Sequence, residues 1–332
     1  MDINPFLIWL TRAKCAAYSE RDIAQAESFL TKALQETLQT EIGQWMPALH
    51  EIEKWWNRSD LLALAHLFEL LSSSPISELA GNLLKITFCR VAIQLANVSF
   101  GHQSMSFKKE KDSPSLFQDH NHIDMLKNLF RRTFKEVAES ARISAGEGNA
   151  RTYLGDSRNL DRVLKGHCIT AVITSPPYPN RMSYIRELRP YMYWLGYLSS
   201  GRQAGDLDWK AIGGTWGCAT SNLMKWEPDK AVKIQHRGFK SMIAGIESNS
   251  SVLARYVHKY FEDAVLHIHS LKKVLADQAR IYYVVGNSKF YDVMVPVEEI
   301  YADIFRSVGF DKVKIEKIRK RTSKKELYEY VV

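Results

Sequence analysis

Cysteine is scarce in this chain, and the few cysteines argue against two classes of protein. The four among 332 residues lie far apart and form no Cys-x-x-Cys pair, a pattern that fits neither a disulfide framework nor a zinc site. No uninterrupted apolar run approaches the roughly 20 residues that a membrane helix needs. The first residues also lack the basic start and apolar core of a signal peptide. We therefore expect a cytoplasmic protein that needs no metal.

The composition excludes a disordered chain and carries a basic surplus. Apolar residues make up 45% of the sequence and charged residues 25%, which is ordinary globular usage. The 45 Lys and Arg exceed the 37 Asp and Glu and give a net charge of +8. Such a surplus favours a polyanionic partner, above all nucleic acid.

Up to about residue 145 the pattern is helical almost throughout. Ser59-Asp60 suits a helix N-cap and is followed by leucines at helical spacing. Helices are also predicted from about Ile76 to Val98 and from about Ile123 to Arg142, with an exposed polar loop over Phe100–His120 between them. The glycines of Gly146–Asn149 close this helical region.

From Gly148 onward short strands alternate with helices. The predicted strands are Arg151–Leu154, Ala171–Thr174 as a buried strand, Arg280–Val285, and a closing antiparallel pair of Lys312–Ile318 with Leu327–Val332. The predicted helices run from about Val252 to Leu275 and from about Val297 to Val308, before Gly309 as C-cap. This alternation indicates an open α/β sheet, in which ligands bind beyond the carboxyl ends of the strands.

The most informative segment is Thr174-Ser175-Pro176-Pro177-Tyr178, directly after a predicted strand. Two consecutive prolines neither continue a ladder nor start a helix interior, so the backbone is rigid and extended, and we expect its carbonyls to point into a cleft. Carbonyl and hydroxyl oxygens accept hydrogen bonds from an exocyclic amine, and a base stacked on an aromatic ring gains about 1–3 kcal/mol. The segment predicts a receptor for a planar, amine-bearing group; a simple Pro-Pro turn is the alternative.

Thr174–Tyr178 resembles the catalytic motif of the amino-methylating DNA methyltransferases, in the serine form typical of cytosine-N4 enzymes. Adenine-N6 relatives usually carry Asp or Asn in place of Ser175. The resemblance extends from Gly155 to the closing hairpin Arg319–Glu329 and implies a Rossmann-like class I methyltransferase core with S-adenosyl-L-methionine as cofactor. It also implies direct transfer: the exocyclic nitrogen bonds to the sulfonium methyl, the carbon–sulfur bond breaks, and the nitrogen then releases a proton.

The resemblance also assigns residues to roles. The implied catalytic residues are Ser175, Pro176, Pro177 and Tyr178. Ser175 and the Pro176 carbonyl would orient the amine, and the Tyr178 ring would stack on the flipped base. The implied cofactor contacts are Asp2, Asp156, Ser157 and Thr174, with Asp156 on the adenine and Asp2 on the ribose.

The glycine-rich loop that this fold needs after its first strand is not found. Neither Gly146-Glu147-Gly148 nor Gly213–Gly217 follows a convincing strand, whereas Met1–Pro5 resembles the end of the family's second strand. The family's sheet runs 3-2-1-4-5-7-6, so a missing strand 1 would expose two strand edges. We expect a split enzyme that a small partner chain with Phe-x-Gly-x-Gly completes. A truncated or frameshifted gene is one alternative, and an unrelated helix cap at Asp2 and Pro5 is another.

These observations divide the chain into three parts. Residues 1–5 are the remnant of strand 2, residues 6–148 a helical insertion for target recognition or partner binding, and residues 149–332 the catalytic core. The predicted DNA contacts are Arg181, Arg186, Arg319, Lys320 and Arg321, with a packed aromatic helix and a solvated strand face as the alternatives. The favoured function is cytosine-N4 methylation of DNA in a restriction-modification or other defence system. The alternatives are adenine-N6 methylation and a non-catalytic DNA-binding or assembly subunit.

Overall fold

A computed structural model of the chain describes residues 1–35, 45–99, 105–108, 119–143, 149–179, 183–214, 218–321 and 326–332. It is a mixed α/β structure with small sheets. Met1–Asn4, Tyr153–Arg186 and Ala204–Val332 form one compact unit, the sheet unit; Pro5–Thr152 and Glu187–Gln203 form the second, the helical unit. No helix among the described residues combines the length and the apolar character that crossing a membrane requires.

The helical unit is built mainly from amphipathic helices. They are α1 (Pro5–Cys15), α2 (Glu20–Gln35), α3 (Ile52–Trp55), α4 (Arg58–Ser72), α5 (Glu78–Leu95) and α6 (Asp119–Arg142). The predicted helices that correspond to α5 and α6 are confirmed, with ends shifted by a few residues. The predicted N-cap of α4 is wrong: Asn57, not Ser59-Asp60, caps the helix, because its side chain accepts the Asp60 N–H bond at 2.8 Å.

Part of the predicted loop between α5 and α6 is a short strand pair. β1 (Val98–Ser99) and β2 (Ser106–Phe107) pair antiparallel, while residues 100–104, 109–118 and 144–148 lie outside the described ranges. The core of the helical unit is aromatic. The buried Trp194 ring lies 5.2 Å from Phe88 and 5.7 Å from Trp56 between centroids. This packing explains why Glu187–Gln203, predicted within residues 149–332, belongs to the helical unit.

The sheet unit alternates strands and helices. Its helices are α7 (Leu160–Val163, after a 3-10 turn at Ser157–Asn159), α8 (Tyr184–Trp194, divided between the two units), α9 (Gly201–Lys210), α10 (Cys218–Lys225), α11 (Phe239–Glu247), α12 (Ser251–Lys272) and α13 (Val297–Ser307). Its strands are β3 (Ile169–Thr174), β4 (Leu275–Gly286), β5 (Ser288–Phe290), β6 (Val293–Val295), β7 (Glu316–Lys320) and β8 (Tyr328–Val331). As predicted, α13 ends before Gly309, whose φ of 89° suits a glycine.

The main sheet has four strands in the order β3-β4-β8-β7. β3 and β4 run parallel, with Thr174 opposite Tyr283. β8 runs antiparallel to both β4 and β7. The predicted closing antiparallel pair is therefore confirmed, and the carboxyl ends of β3 and β4 lie at the same edge of the sheet.

The two faces of this sheet differ in burial. Tyr283 lies in the core with α12 and α13, its ring 5.1 Å from that of Phe305. On the opposite face Ile173 is 81% and Tyr282 43% exposed. The prediction that Ala171–Thr174 is a buried strand is therefore wrong. The β3 side chains that point away from α12 are exposed to solvent. Separately, among the described residues β3 has a hydrogen-bonded neighbour strand on one side only.

Because Glu262 on α12 is buried, we expect the free energy of unfolding to depend on pH. Its side chain is buried, and burial raises its pKa from 4.5 to about 7, although the Asp229 N–H donates to Oε1 at 3.0 Å. Because folding raises this pKa, the folded protein binds the proton more tightly, and stability falls as the pH rises between those two values. Glu262→Gln keeps the hydrogen-bond acceptor and removes the charge.

We expect Glu262→Gln to unfold a few degrees above the wild type at pH 8, measured by scanning calorimetry. At pH 4.5 both proteins carry a neutral side chain at this position for most of the time when folded, so their melting temperatures should converge. A difference that stays constant between the two pH values would contradict the burial-driven shift in the Glu262 pKa.

Candidate active site

The Ser175–Tyr178 motif begins where β3 ends. Thr174 is the last residue of β3 and pairs with Tyr283 of the parallel strand β4, so the motif leaves the sheet at the carboxyl end of two parallel strands. The prolines prevent further pairing because neither has an N–H to donate. Ser175 is exposed, the prolines are half-buried and Tyr178 is 8% exposed. The chain thus passes from solvent to the interior within four residues.

Tyr178 lies against the end of β4. A Cβ atom added at Gly286 would lie 2.9 Å from the Tyr178 ring, so only glycine allows this approach. The Arg321 guanidinium lies 5.2 Å from the ring centroid and donates to Asn287 O at 3.2 Å. A base that stacks on this face of Tyr178 must therefore take the place of Arg321.

The Tyr178 hydroxyl belongs to a polar chain. Burial raises its pKa, while a hydrogen bond with Ser175 opposes that rise. The same hydroxyl bonds to Glu329, whose carboxylate accepts from Arg319 at 2.6 Å. The Tyr178 hydroxyl thus interacts with Ser175 within the motif and with Glu329 of β8.

The two proline carbonyls differ in their surroundings. Pro177 O accepts a hydrogen bond from the Tyr260 hydroxyl at 2.6 Å, and Tyr260 is buried on α12. The expectation that the proline carbonyls point into a cleft is thus wrong for Pro177, because its oxygen faces the core. It remains a prediction for Pro176.

Asp156, the predicted adenine contact, is held by an arginine. The Asp156 carboxylate accepts from Arg158 Nε at 3.0 Å and from Nη2 at 2.7 Å, and also from the Arg158 N–H at 2.9 Å. Burial alone would raise the Asp156 pKa, but these bonds and the charge of Arg158 outweigh it and lower that pKa. Since a carboxylate has about four acceptor positions, little capacity is left for a ligand while this pair is closed.

The same arginine continues into a buried charge network on α12. Arg158 Nη1 donates to Asp263 Oδ1 at 2.7 Å, and Lys259 Nζ donates to Asp263 Oδ2 at 2.6 Å. Asp263 is 4% exposed and Lys259 8%. Burial lowers the Arg158 pKa, but its bonds to Asp156 and Asp263 raise it above its ordinary value. Asp263 thus accepts from both cations, and together with Asp156 the network holds two carboxylates and two cations.

His267 connects the Ser157 turn with the sheet. Its Nδ1 lies 2.8 Å from Ser157 O and its Nε2 2.6 Å from the Tyr283 hydroxyl. Because the carbonyl only accepts, Nδ1 carries the hydrogen and Nε2 accepts from Tyr283. Burial lowers the His267 pKa despite the bond to Ser157, which favours this neutral form. The predicted Ser157 and Thr174 are thereby linked, since Tyr283 is the strand partner of Thr174.

Asp2 lies beside the Asp156 turn. The predicted strand Arg151–Leu154 is reduced to a single parallel bridge between Asp2 and Leu154, and the Gly155 N–H donates to Asp2 O at 3.0 Å. The Asp2 carboxylate accepts the Asn4 N–H at 2.8 Å, and burial raises its pKa. Asp2 and Asp156 thus lie at one turn, and each carboxylate already has a partner.

The structure describes four of the five predicted DNA-binding residues, Arg186, Arg319, Lys320 and Arg321, and each has partners. Arg319 pairs with Glu329 at 2.6 Å and Lys320 with Glu326 at 2.7 Å. Arg186 is half-buried on α8 and its N–H bonds to Ser183 Oγ, whereas Arg181 lies outside the described residues. The Arg319 and Lys320 side chains are exposed, and exposed ion pairs are worth at most about 1 kcal/mol, so a phosphate can compete for either one.

The sequence did not predict that five further residues belong to the site: Arg158, Lys259, Tyr260, Asp263 and Gly286. One signal was available: Lys259 and Asp263 are charged residues four apart on the apolar face of a predicted helix, a spacing that pairs side chains. Among the described residues no group of three or more His, Cys, Asp or Glu side chains could hold a metal ion.

Comparison of the chain with protein-family models, with curated proteins and with solved structures returns no match. The site must therefore be interpreted from its own geometry: a rigid Ser-Pro-Pro-Tyr segment at the end of parallel strands, an aromatic ring at its inner end, and two anchored acidic residues at a neighbouring turn.

Proposed function

We propose that this chain is the catalytic part of an S-adenosylmethionine-dependent DNA methyltransferase acting on the exocyclic amine of a flipped base. Ser175 favours cytosine N4 over adenine N6 as the acceptor. The observation that carries the proposal is the position of Thr174–Tyr178 at the carboxyl ends of β3 and β4, which is where open α/β sheets bind their ligands.

The strand order supports a Rossmann-like methyltransferase core. In the sheet order 3-2-1-4-5-7-6, the strands beyond strand 1 are 4-5-7-6, with strand 7 inserted between strands 5 and 6. The observed order β3-β4-β8-β7 has the same crossover, with β8 inserted between β4 and β7 and antiparallel to both. The parallel bridge between Asp2 and Leu154 is what neighbouring strands 2 and 3 would contribute.

The chemistry assigned to this chain is positioning. When bound, the cofactor supplies an electrophilic methyl group on a sulfonium. Ser175 Oγ and Pro176 O accept the two N–H bonds of the amine and turn its lone pair outward, and the Tyr178 ring stacks on the base. Asp2 and the Ser157 turn fit a cofactor-binding edge; Asp156 fits only if its pair with Arg158 opens.

The test is the appearance of methylated bases. DNA from cells that express the chain with its neighbouring genes is digested and examined by mass spectrometry for N4-methylcytosine and N6-methyladenine. N4-methylcytosine supports the cytosine assignment, and N6-methyladenine would transfer the proposal to adenine. If neither methylated base is found, and the complex purified from the same cells binds DNA, the result would favour a non-catalytic subunit.

A specific observation favours that second candidate. The stacking face of Tyr178 and the carboxylate of Asp156 are both occupied by arginines, Arg321 and Arg158. A degenerate methyltransferase fold retained for DNA binding or assembly would also have arginines at these two positions, because it binds neither a base nor the cofactor there. The base analysis separates the two candidates because only an enzyme leaves a methyl group on DNA.

A partner that completes the sheet belongs to the proposal. β3 offers an unpaired edge among the described residues and an exposed apolar side chain at Ile173, features that proteins rarely leave uncovered. A small chain with a strand and a Phe-x-Gly-x-Gly loop would pair with β3 and supply the backbone that approaches the cofactor.

Ile173→Asp tests this pairing. We expect the variant to lose co-purification with a small chain encoded beside its gene, while its melting temperature stays within about 2 °C of the wild type, because an exposed substitution changes stability by about 0.5 kcal/mol or less. Ile318→Asp is the matched control, since Ile318 is also exposed, at 49%, but lies on the opposite edge strand, β7. Tight stoichiometric binding of S-adenosylmethionine by the isolated chain would contradict the need for a partner.

A further inference from the structure

A buried hydroxyl holds the second proline of the motif. Tyr260 on α12 is 1% exposed, and its hydroxyl donates to Pro177 O at 2.6 Å. The Tyr301 hydroxyl lies 3.2 Å from that of Tyr260. Since Pro177 O only accepts, the single hydroxyl hydrogen of Tyr260 goes to it, and Tyr301 donates to Tyr260. Burial raises the Tyr260 pKa well above its ordinary value, so the donor stays protonated.

This bond removes a degree of freedom that the proline ring leaves open. The ring fixes φ of Pro177, while ψ, which orients the carbonyl, is set by the bond to Tyr260. Gly213 packs against the same proline: with φ of 74°, its added Cβ would lie 3.2 Å from Pro177 Cβ and 3.6 Å from the Tyr260 ring. The peptide between Pro177 and Tyr178 is therefore held by α12 and by the Gly213 turn together.

Two of the three groups that would contact the base flank this peptide. Pro176 O precedes it by one residue, and the Tyr178 ring follows it directly. A rotation of the Pro177 carbonyl would move the Tyr178 ring out of its close contact with Gly286. That contact is so close that a Cβ atom at position 286 would not fit. An error of about 1 Å in the placement of a reacting group can cost about 100-fold in rate.

We propose that Tyr260 is a positioning residue of the Ser175–Tyr178 motif. It touches neither base nor cofactor and acts through Pro177, whose carbonyl orientation it sets. The role in methyl transfer rests on the proposed function, whereas the role in fixing the motif does not.

Tyr260→Phe tests the proposal, with Tyr301→Phe as the matched control. Both tyrosines are about 1% exposed, and each variant removes one hydroxyl from the same buried pair; only Tyr260→Phe removes the bond to Pro177. We expect Tyr260→Phe to lower kcat about tenfold, the worth of one well-placed hydrogen bond, with KM for S-adenosylmethionine unchanged. Tyr301→Phe should stay within about threefold of the wild-type kcat, and both variants should melt at similar temperatures.

A second measurement reads the carbonyl directly. In protein labelled with ¹³C at the proline carbonyls, the Pro177 resonance, assigned with Pro177→Ala, should move upfield in Tyr260→Phe and stay in place in Tyr301→Phe. A wild-type complex without methyl transfer would defeat the proposed function, and the carbonyl shift would still decide whether Tyr260 holds the motif. Equal kcat in the two variants of an active enzyme, or an unmoved Pro177 resonance, would overturn the inference.

Discussion

Tyr178→Ala is expected to lower the rate of methyl transfer about 100-fold, because a base stacked on an aromatic ring gains about 1–3 kcal/mol. The ring is the inner end of the motif, packed against Gly286 and under the Arg321 guanidinium. Its removal takes away the stacking surface and also the hydroxyl that interacts with Ser175. The measurement is transfer of labelled methyl groups from S-adenosylmethionine to DNA, the proposed activity, by the chain together with the proposed partner.

Tyr178→Phe is the control for this prediction. It keeps the ring and removes the hydroxyl that bonds to Ser175 and Glu329, so a loss of about tenfold or less is expected. Circular dichroism should show that both variants are folded. Methylation at the wild-type rate by folded Tyr178→Ala would remove Tyr178 from the catalytic assignment and favour the non-catalytic candidate.

Asp263→Asn is expected to destabilise the protein by about 3–5 kcal/mol, the usual cost of removing one partner from a buried ion pair. Asp263 is 4% exposed and is the common acceptor of Lys259 and Arg158. The neutral amide leaves the buried Lys259 cation without its hydrogen-bonded carboxylate. Urea unfolding followed by circular dichroism measures the difference in free energy of unfolding.

Asp161→Asn is the matched control. Asp161 also accepts from Ser270 of α12 at 2.5 Å and from Lys273, the residue after α12, at 2.9 Å, but Lys273 is 65% exposed. A pair of this kind contributes at most about 1 kcal/mol. Adding Lys259→Met to Asp263→Asn should recover part of the loss, because it removes the uncompensated cation. Equal effects of Asp263→Asn and Asp161→Asn would show that the buried network adds little stability.

The regular elements of the sheet unit follow closely from local pattern. β4, α12, α13 and the closing pair of β7 with β8 were all predicted because alternation, helical spacing and glycine stops act over a few residues. The helices α9, α10 and α11 were not predicted, since each is only 8–10 residues long and carries too few apolar repeats. The exposure of Ile173 was also missed, because the burial of one face of a strand depends on whether another element packs against that face.

The candidate site shows the same division. The Thr174–Tyr178 motif can be recognised in the sequence. Two prolines after a strand give a rigid, extended segment that leaves the sheet, whatever the position of that strand in the sheet. The partners that give the motif its geometry are distant in sequence: Tyr260 beneath Pro177, Gly286 beside Tyr178, and Arg321 over its ring. No local pattern indicates these contacts.

The scarcity of cysteine, the basic surplus, the strand-and-helix alternation and the Ser-Pro-Pro-Tyr segment are properties of the sequence by itself, since each depends on composition or on neighbouring residues. The tertiary structure alone decided that Asp156 is paired with Arg158, that the Pro177 carbonyl faces α12, and that one face of β3 meets solvent. The physical reason is that hydrogen bonding and burial are set by which segments the fold brings within a few ångströms, whatever their separation along the chain.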